Sequence, residues 1–149
     1  MKKILYLFLV LPLLFSSCAK EEGCTDPLAS NYNGDADEDD GTCLYSVIAT
    51  WNMTSYVVNG VDAMSSLLDP YIISGTWTVN ENGTMTINVV YSDATVMLDA
   101  GTWSLIGTST FALMSDGTTE NWTITQLDGN SMELSATLDG LSYVVSLTK

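Results

Sequence analysis

Residues 128–149 read DGNSMELSATLDGLSYVVSLTK, and this stretch decides the fold. Met132, Leu134, Ala136 and Leu138 alternate with other residues, and Tyr143, Val145 and Leu147 repeat the pattern. Successive side chains of a strand point to opposite faces, so each run presents one apolar face. Asp128-Gly129 and Asp139-Gly140 punctuate the runs, and such pairs favour the tight turns that join antiparallel neighbours. The spacing predicts strands at 130–138 and 141–148.

The same texture extends back to residue 46. Strands are expected at 47–58, 71–79, 83–91, 94–105, 108–114 and 117–127. Their short connections are Asn80-Glu81-Asn82, Ser92-Asp93, Ile106-Gly107 and Ser115-Asp116. Met85, Ile87, Val89 and Tyr91 form one face against Thr84, Thr86 and Asn88, whereas Trp122, Ile124 and Gln126 alternate less cleanly. Residues 59–70 read as a loop with one helical turn near Met64–Leu68. The expectation is an all-β fold, an antiparallel up-and-down meander of about eight strands. Closure into a β-barrel removes exposed edges; a flattened sandwich is the alternative.

Ala49-Thr50-Trp51, Gly75-Thr76-Trp77 and Gly101-Thr102-Trp103 recur at a spacing of 26. The three tryptophans are expected to enter strands at related heights. Gly-x-Trp resembles the first-strand motif of lipocalins, in which the ring packs across the closed end of the barrel. Trp51 stands in that place, with Ala49 for the glycine. The resemblance implies a lipocalin-like barrel over 46–149, similar to domains found in lipoproteins of Bacteroidetes. An eight-stranded interior is either filled by side chains or holds one small ligand.

The N-terminus reads as an address. Lys2 and Lys3 precede the apolar run Ile4–Phe15, too short to span a bilayer and suited to a signal peptide over 1–17. Ser16-Ser17-Cys18 resembles a bacterial lipobox, which implies a lipid on Cys18. The tether 18–22, CAKEE, resembles the surface-export signal of Bacteroidetes lipoproteins. A membrane partner reached through the lipid, on the outer membrane and at the cell surface, is what these resemblances imply. Cleavage removes Lys2 and Lys3, moving the formal charge from −14 to −16.

Residues 23–45, GCTDPLASNYNGDADEDDGTCLY, resemble a cysteine-bounded repeat of Bacteroidetes surface and secreted proteins. Beyond the inner membrane a Cys24–Cys43 disulfide is permitted. Under the chain-entropy model it is worth about 3 kcal/mol for a loop of about this size. Six acids lie between Asp26 and Asp40, and hard oxygen ligands of this kind suit calcium. Asp40 falls where an EF-hand needs glycine, so the candidate calcium site is a looser set: Asp26, Asn31, Asn33, Asp37, Asp39 and Asp40. The alternative is a solvated acidic spacer.

Composition restricts the function. With 18 acidic against 4 basic residues, nothing neutralises a row of phosphates, so nucleic acid is not an expected partner. The chain has no histidine, the commonest general base, and no enzyme activity is expected. Glu81, Asp93, Asp116, Glu120, Asp128 and Asp139 read as acids placed mostly at turns. The domain has no arginine and only Lys149 as a base, so an unpaired carboxylate ligand is disfavoured. A carried molecule is then neutral or cationic, a sterol-like, polyprenyl, pigment or amine compound. Met53, Met85, Met97, Met114 and Met132, with Tyr56, Tyr71, Tyr91 and Tyr143, are either a lining or ordinary core. Two functions follow: a carrier of a small apolar molecule, or a display module with a filled barrel that binds protein or glycan.

Overall fold

A computed structural model describes residues 20–149. The signal segment 1–17 and the first two tether residues, Cys18 and Ala19, lie outside the described residues. A two-residue parallel ladder opens the described chain, formed by β1 (Glu22–Gly23) and β2 (Glu38–Asp39). The body follows as β3 (Ala49–Val58), a short β4 (Val61–Asp62), β5 (Ile72–Val79) and β6 (Thr84–Tyr91). It continues as β7 (Val96–Ile106), β8 (Thr110–Ser115), β9 (Thr118–Leu127), β10 (Ser131–Leu138) and β11 (Leu141–Thr148).

Neighbours in sequence pair antiparallel from β5 to β11, and β3 pairs with β5. The ring closes where β11 meets β3, from Tyr143 opposite Val58 to Thr148 opposite Asn52. This is a closed eight-stranded lipocalin-like barrel rather than a flattened sandwich. Register shifts at Ile72/Ser74, Glu133/Leu134 and Ser146/Leu147 supply local bends, because an extra unpaired residue raises the twist of its strand.

The loop 59–70 departs from expectation, since no helix occurs among the described residues. Val61 and Asp62 fold back on Val58 and Val57 as β4. The Asp62 carboxylate then accepts from the Met64 amide at 2.9 Å, and the Ser65 hydroxyl from the Leu67 amide at 3.4 Å. Side chains that engage backbone amides in this way favour successive turns over a helix, and Pro70 ends the segment.

Alternate strands start at opposite ends. One end, where β3 starts, is closed by apolar packing. Trp51 is fully buried there, and its Nε1 donates to the Val47 carbonyl at 2.8 Å. Trp103 stacks on Phe111 with centroids 5.7 Å apart, and the Lys149 ammonium sits 4.9 Å above the Trp51 ring. Met132, Leu134, Val145 and Leu147 complete the buried wall, each aliphatic side chain worth about 1.5–3 kcal/mol of burial.

The acidic module approaches this same end. Leu28 lies against Gly129 in the β9–β10 turn, and Leu44, Tyr45 and Val47 border a groove with Leu105, Ile124 and Leu127. The Cys24–Cys43 disulfide is formed and closes the module.

Candidate functional site

The half of the barrel away from Trp51 is not filled. A cavity of about 230 Å³ lies there, between β3, β5, β6, β7, β8 and β9. The period-2 pattern builds its wall, because inward positions of neighbouring strands align. Ile87 of β6 stands opposite Trp77 of β5 on one side and Asp99 of β7 on the other. Leu113 of β8 stands opposite Glu120 of β9. Met53, Ile72, Ile87 and Val89 make the floor and sides apolar. The lining runs out to Met97, which is 44% exposed.

Aromatic rings dominate one wall. Trp77 and Trp122 meet edge to face at 5.9 Å, Trp122 meets Tyr143 at 6.2 Å, and Tyr143 meets Tyr56 at 6.1 Å. Burial pushes the Tyr56 hydroxyl up to about 12, helped by Tyr143, Tyr91 and the Glu120 charge, so it remains a neutral donor at physiological pH.

Two carboxylates face this cavity. Asp99 accepts from the Ser115 hydroxyl at 3.2 Å, and Glu120 accepts from Trp122 Nε1 at 3.1 Å. Trp77 is 2% exposed, and its Nε1 is buried without a hydrogen-bond partner. A buried donor left unmade costs about 1–3 kcal/mol, a cost that falls on the packing around Trp77, while the carboxylates of Asp99 and Glu120 stand on the cavity lining.

The loop 59–70 packs Ala63 and Met64 against the core, while Leu67 is 93% exposed. Its closing contacts are the Ala63 amide on the Tyr56 carbonyl and the Ile72 amide on the Ala63 carbonyl, both 2.8 Å. Of the methionines singled out in the sequence, Met53 and Met97 line the cavity. Met85 and Met132 are core, and Met114 is 52% exposed. Tyr56 and Tyr91 line the cavity, whereas Tyr143 packs behind them.

The three spaced tryptophans reach their places in the barrel by different routes. Trp51 starts β3 and stands directly opposite Trp77, which lies near the end of β5. Trp103 lies late in β7, its Nε1 donating to the Asn80 carbonyl at 2.9 Å. Only Trp51 enters a strand; the other two leave theirs. The first interval of 26 holds a long loop and the second a complete strand, so the spacing is not a structural repeat.

The glycines of the motif have separate reasons. A Cβ on Gly75 would meet the Met53 side chain at 2.8 Å, and one on Gly101 would run into the Met114 carbonyl.

Five of the six candidate calcium residues, all but Asp37, are engaged through their side chains in local hydrogen bonds. Asp26 accepts from the Leu28 amide at 2.9 Å and the Tyr45 hydroxyl at 2.7 Å. Asn31 bridges the Thr42 carbonyl and the Leu44 amide, each at 2.7 Å, and Asn33 bridges Glu21 and the Asp35 amide. Asp39 accepts from the Gly41 amide at 3.0 Å. Asp40 accepts from the Thr42 hydroxyl and amide, which holds its carboxyl below the usual carboxylate range. Among the described residues no group of three or more His, Cys, Asp or Glu side chains is placed to hold a metal ion.

Sequence reasoning missed Asp99 and misplaced Glu120, which sits three residues into β9 rather than in a turn. The signal was present in the alternation. Met97, Asp99, Gly101 and Trp103 share one face, as do Glu120, Trp122 and Ile124. An acid in such a run breaks the apolar pattern and reads as a solvated side chain.

In comparisons with known proteins, no family model matches the chain and no curated protein matches it.

Proposed function

We propose that the protein is a non-enzymatic carrier, anchored in the outer membrane through a lipid on Cys18, whose barrel holds a small molecule at the cell surface. One observation carries this reading. The interior keeps an apolar cavity of about 230 Å³ with polar groups on its wall, the usual composition of a ligand pocket. A display module with a filled barrel has no use for that space. The volume lies below the roughly 300–1,000 Å³ of pockets that bury drug-sized ligands. It therefore favours a compact molecule over the body of a sterol or polyprenyl chain. In the same reading the acidic module is a solvated spacer, stapled by Cys24–Cys43, between the lipid and the barrel.

Native mass spectrometry of the protein purified from its own envelope tests this. A non-covalent mass excess that is released on denaturation is expected. A bare polypeptide mass, unchanged after incubation with envelope extract, overturns the carrier reading.

A further inference from the structure

Two carboxylates on the cavity wall meet no basic side chain among the described residues. Asp99 and Glu120 sit at inward register positions, opposite Ile87 and Leu113. The described chain has two bases, and both are engaged elsewhere. Lys20 pairs with Glu38 at 3.0 Å, and Lys149 lies over Trp51 at the opposite end of the barrel. One neutral donor reaches each carboxylate, the Ser115 hydroxyl and the Trp122 indole. Both side chains are half-buried, and a ligand that displaces water from them must bring a counter-charge or donors of its own.

We propose that the cavity takes a small organic amine as its ammonium ion. Asp99 and Glu120 supply its counter-charge, and the aromatic rings of the lining pack against the rest of the ligand. This deepens the carrier reading and rests on it. An ammonium ion brings charge-assisted hydrogen bonds to carboxylates, roughly twice as strong as neutral ones. The faces of Trp and Tyr rings attract the same charge, and Trp77, Trp122, Tyr56 and Tyr91 all line the cavity. A hard divalent ion asks for six to eight oxygen ligands, to which aromatic walls contribute nothing. An anion meets like charge, and a neutral ligand leaves both carboxylates uncompensated.

Three probes of one shape separate the alternatives: tyramine, tyrosol and 4-hydroxyphenylacetate. They share a phenol ring for the aromatic lining and end in an ammonium, a hydroxyl and a carboxylate. Calorimetric titration of the full protein is expected to show tyramine binding at 1:1 and about tenfold or more tighter than tyrosol, with no binding of the acid. Asp99→Asn and Glu120→Gln are each expected to weaken tyramine about fivefold or more and to leave tyrosol within about twofold. Retained tyrosol binding also shows that each variant is folded. Equal binding of tyrosol and tyramine, or variants that weaken both alike, overturns the amine assignment and leaves the carrier reading standing. Failure of tyramine to bind overturns the amine assignment, and a bare mass that also stays unchanged after incubation with envelope extract overturns the carrier reading with it.

Discussion

Trp77 and Trp122 meet edge to face inside the barrel, ring centroids 5.9 Å apart and planes at 89°, yet their N–H groups have different fates. The Trp122 indole donates to Glu120, and the Trp77 indole donates to nothing among the described residues. Edge-to-face pairs contribute about 0.5–1.5 kcal/mol beyond burial, so packing accounts for both rings and hydrogen bonding for only one.

A pair of equal truncations exposes that difference. Trp51→Phe and Trp77→Phe both shrink a buried ring, but only the first breaks a buried bond, 2.8 Å long, to the Val47 carbonyl. Trp51→Phe is expected to be more destabilising by about 1–3 kcal/mol. Urea denaturation followed by far-ultraviolet circular dichroism measures the gap, and equal losses contradict it.

Gly75 and Gly101 are expected to respond unequally to alanine. At Gly75 the new Cβ meets the flexible end of Met53, whereas at Gly101 it meets the Met114 backbone. Gly101→Ala should cost about 1–3 kcal/mol through strain between β7 and β8, with a smaller loss for Gly75→Ala. Thermal midpoints of the two variants decide the order.

Replacing Cys24 and Cys43 together by serine releases a bridge across 19 residues. The chain-entropy model puts its contribution at about 3 kcal/mol, and the change should fall on the module rather than the barrel. Amide exchange is expected to accelerate at Ser30 and Asn33, which donate to the carbonyls of Leu44 and Cys24 at 2.8 Å. Exchange within β5 and β6 should stay slow. Faster exchange throughout the barrel contradicts this.

Alkaline pH should loosen the aromatic wall. Tyr56 is raised from 10.0 to about 12, chiefly by burial and secondarily by Tyr143, Tyr91 and Glu120. A raised folded value means that the native state holds its proton more tightly than the unfolded chain. The stabilisation is complete below pH 10 and is lost as pH rises toward 12. Tyr56→Phe is expected to flatten that fall in denaturation midpoint. A variant with the same alkaline slope as the parent contradicts the assignment.

Local features determined most of the fold. The alternation of Met85, Ile87 and Val89 and of Met132 and Leu134, with Asp-Gly pairs between runs, placed eight strands within a few residues of their bounds. These signals act over neighbouring residues, where strand period and turn chemistry need no distant partner. The loop 59–70 resisted because Asp62 and Ser65 recruit nearby amides into turns that compete with a helix.

Only the tertiary structure decided closure, since the pairing of Tyr143 with Val58 joins residues far apart in sequence. A strand pattern is the same whether its last edge finds the first or stays open. The candidate site was hidden for the same reason. Asp99 and Glu120 each break an apolar face, and their strands alone do not show whether such an acid is solvated or turned into a cavity. That assignment depends on what shares the cavity: Ile87, Leu113, two tryptophans and, among the described residues, no lysine, brought together by the curvature of the closed sheet.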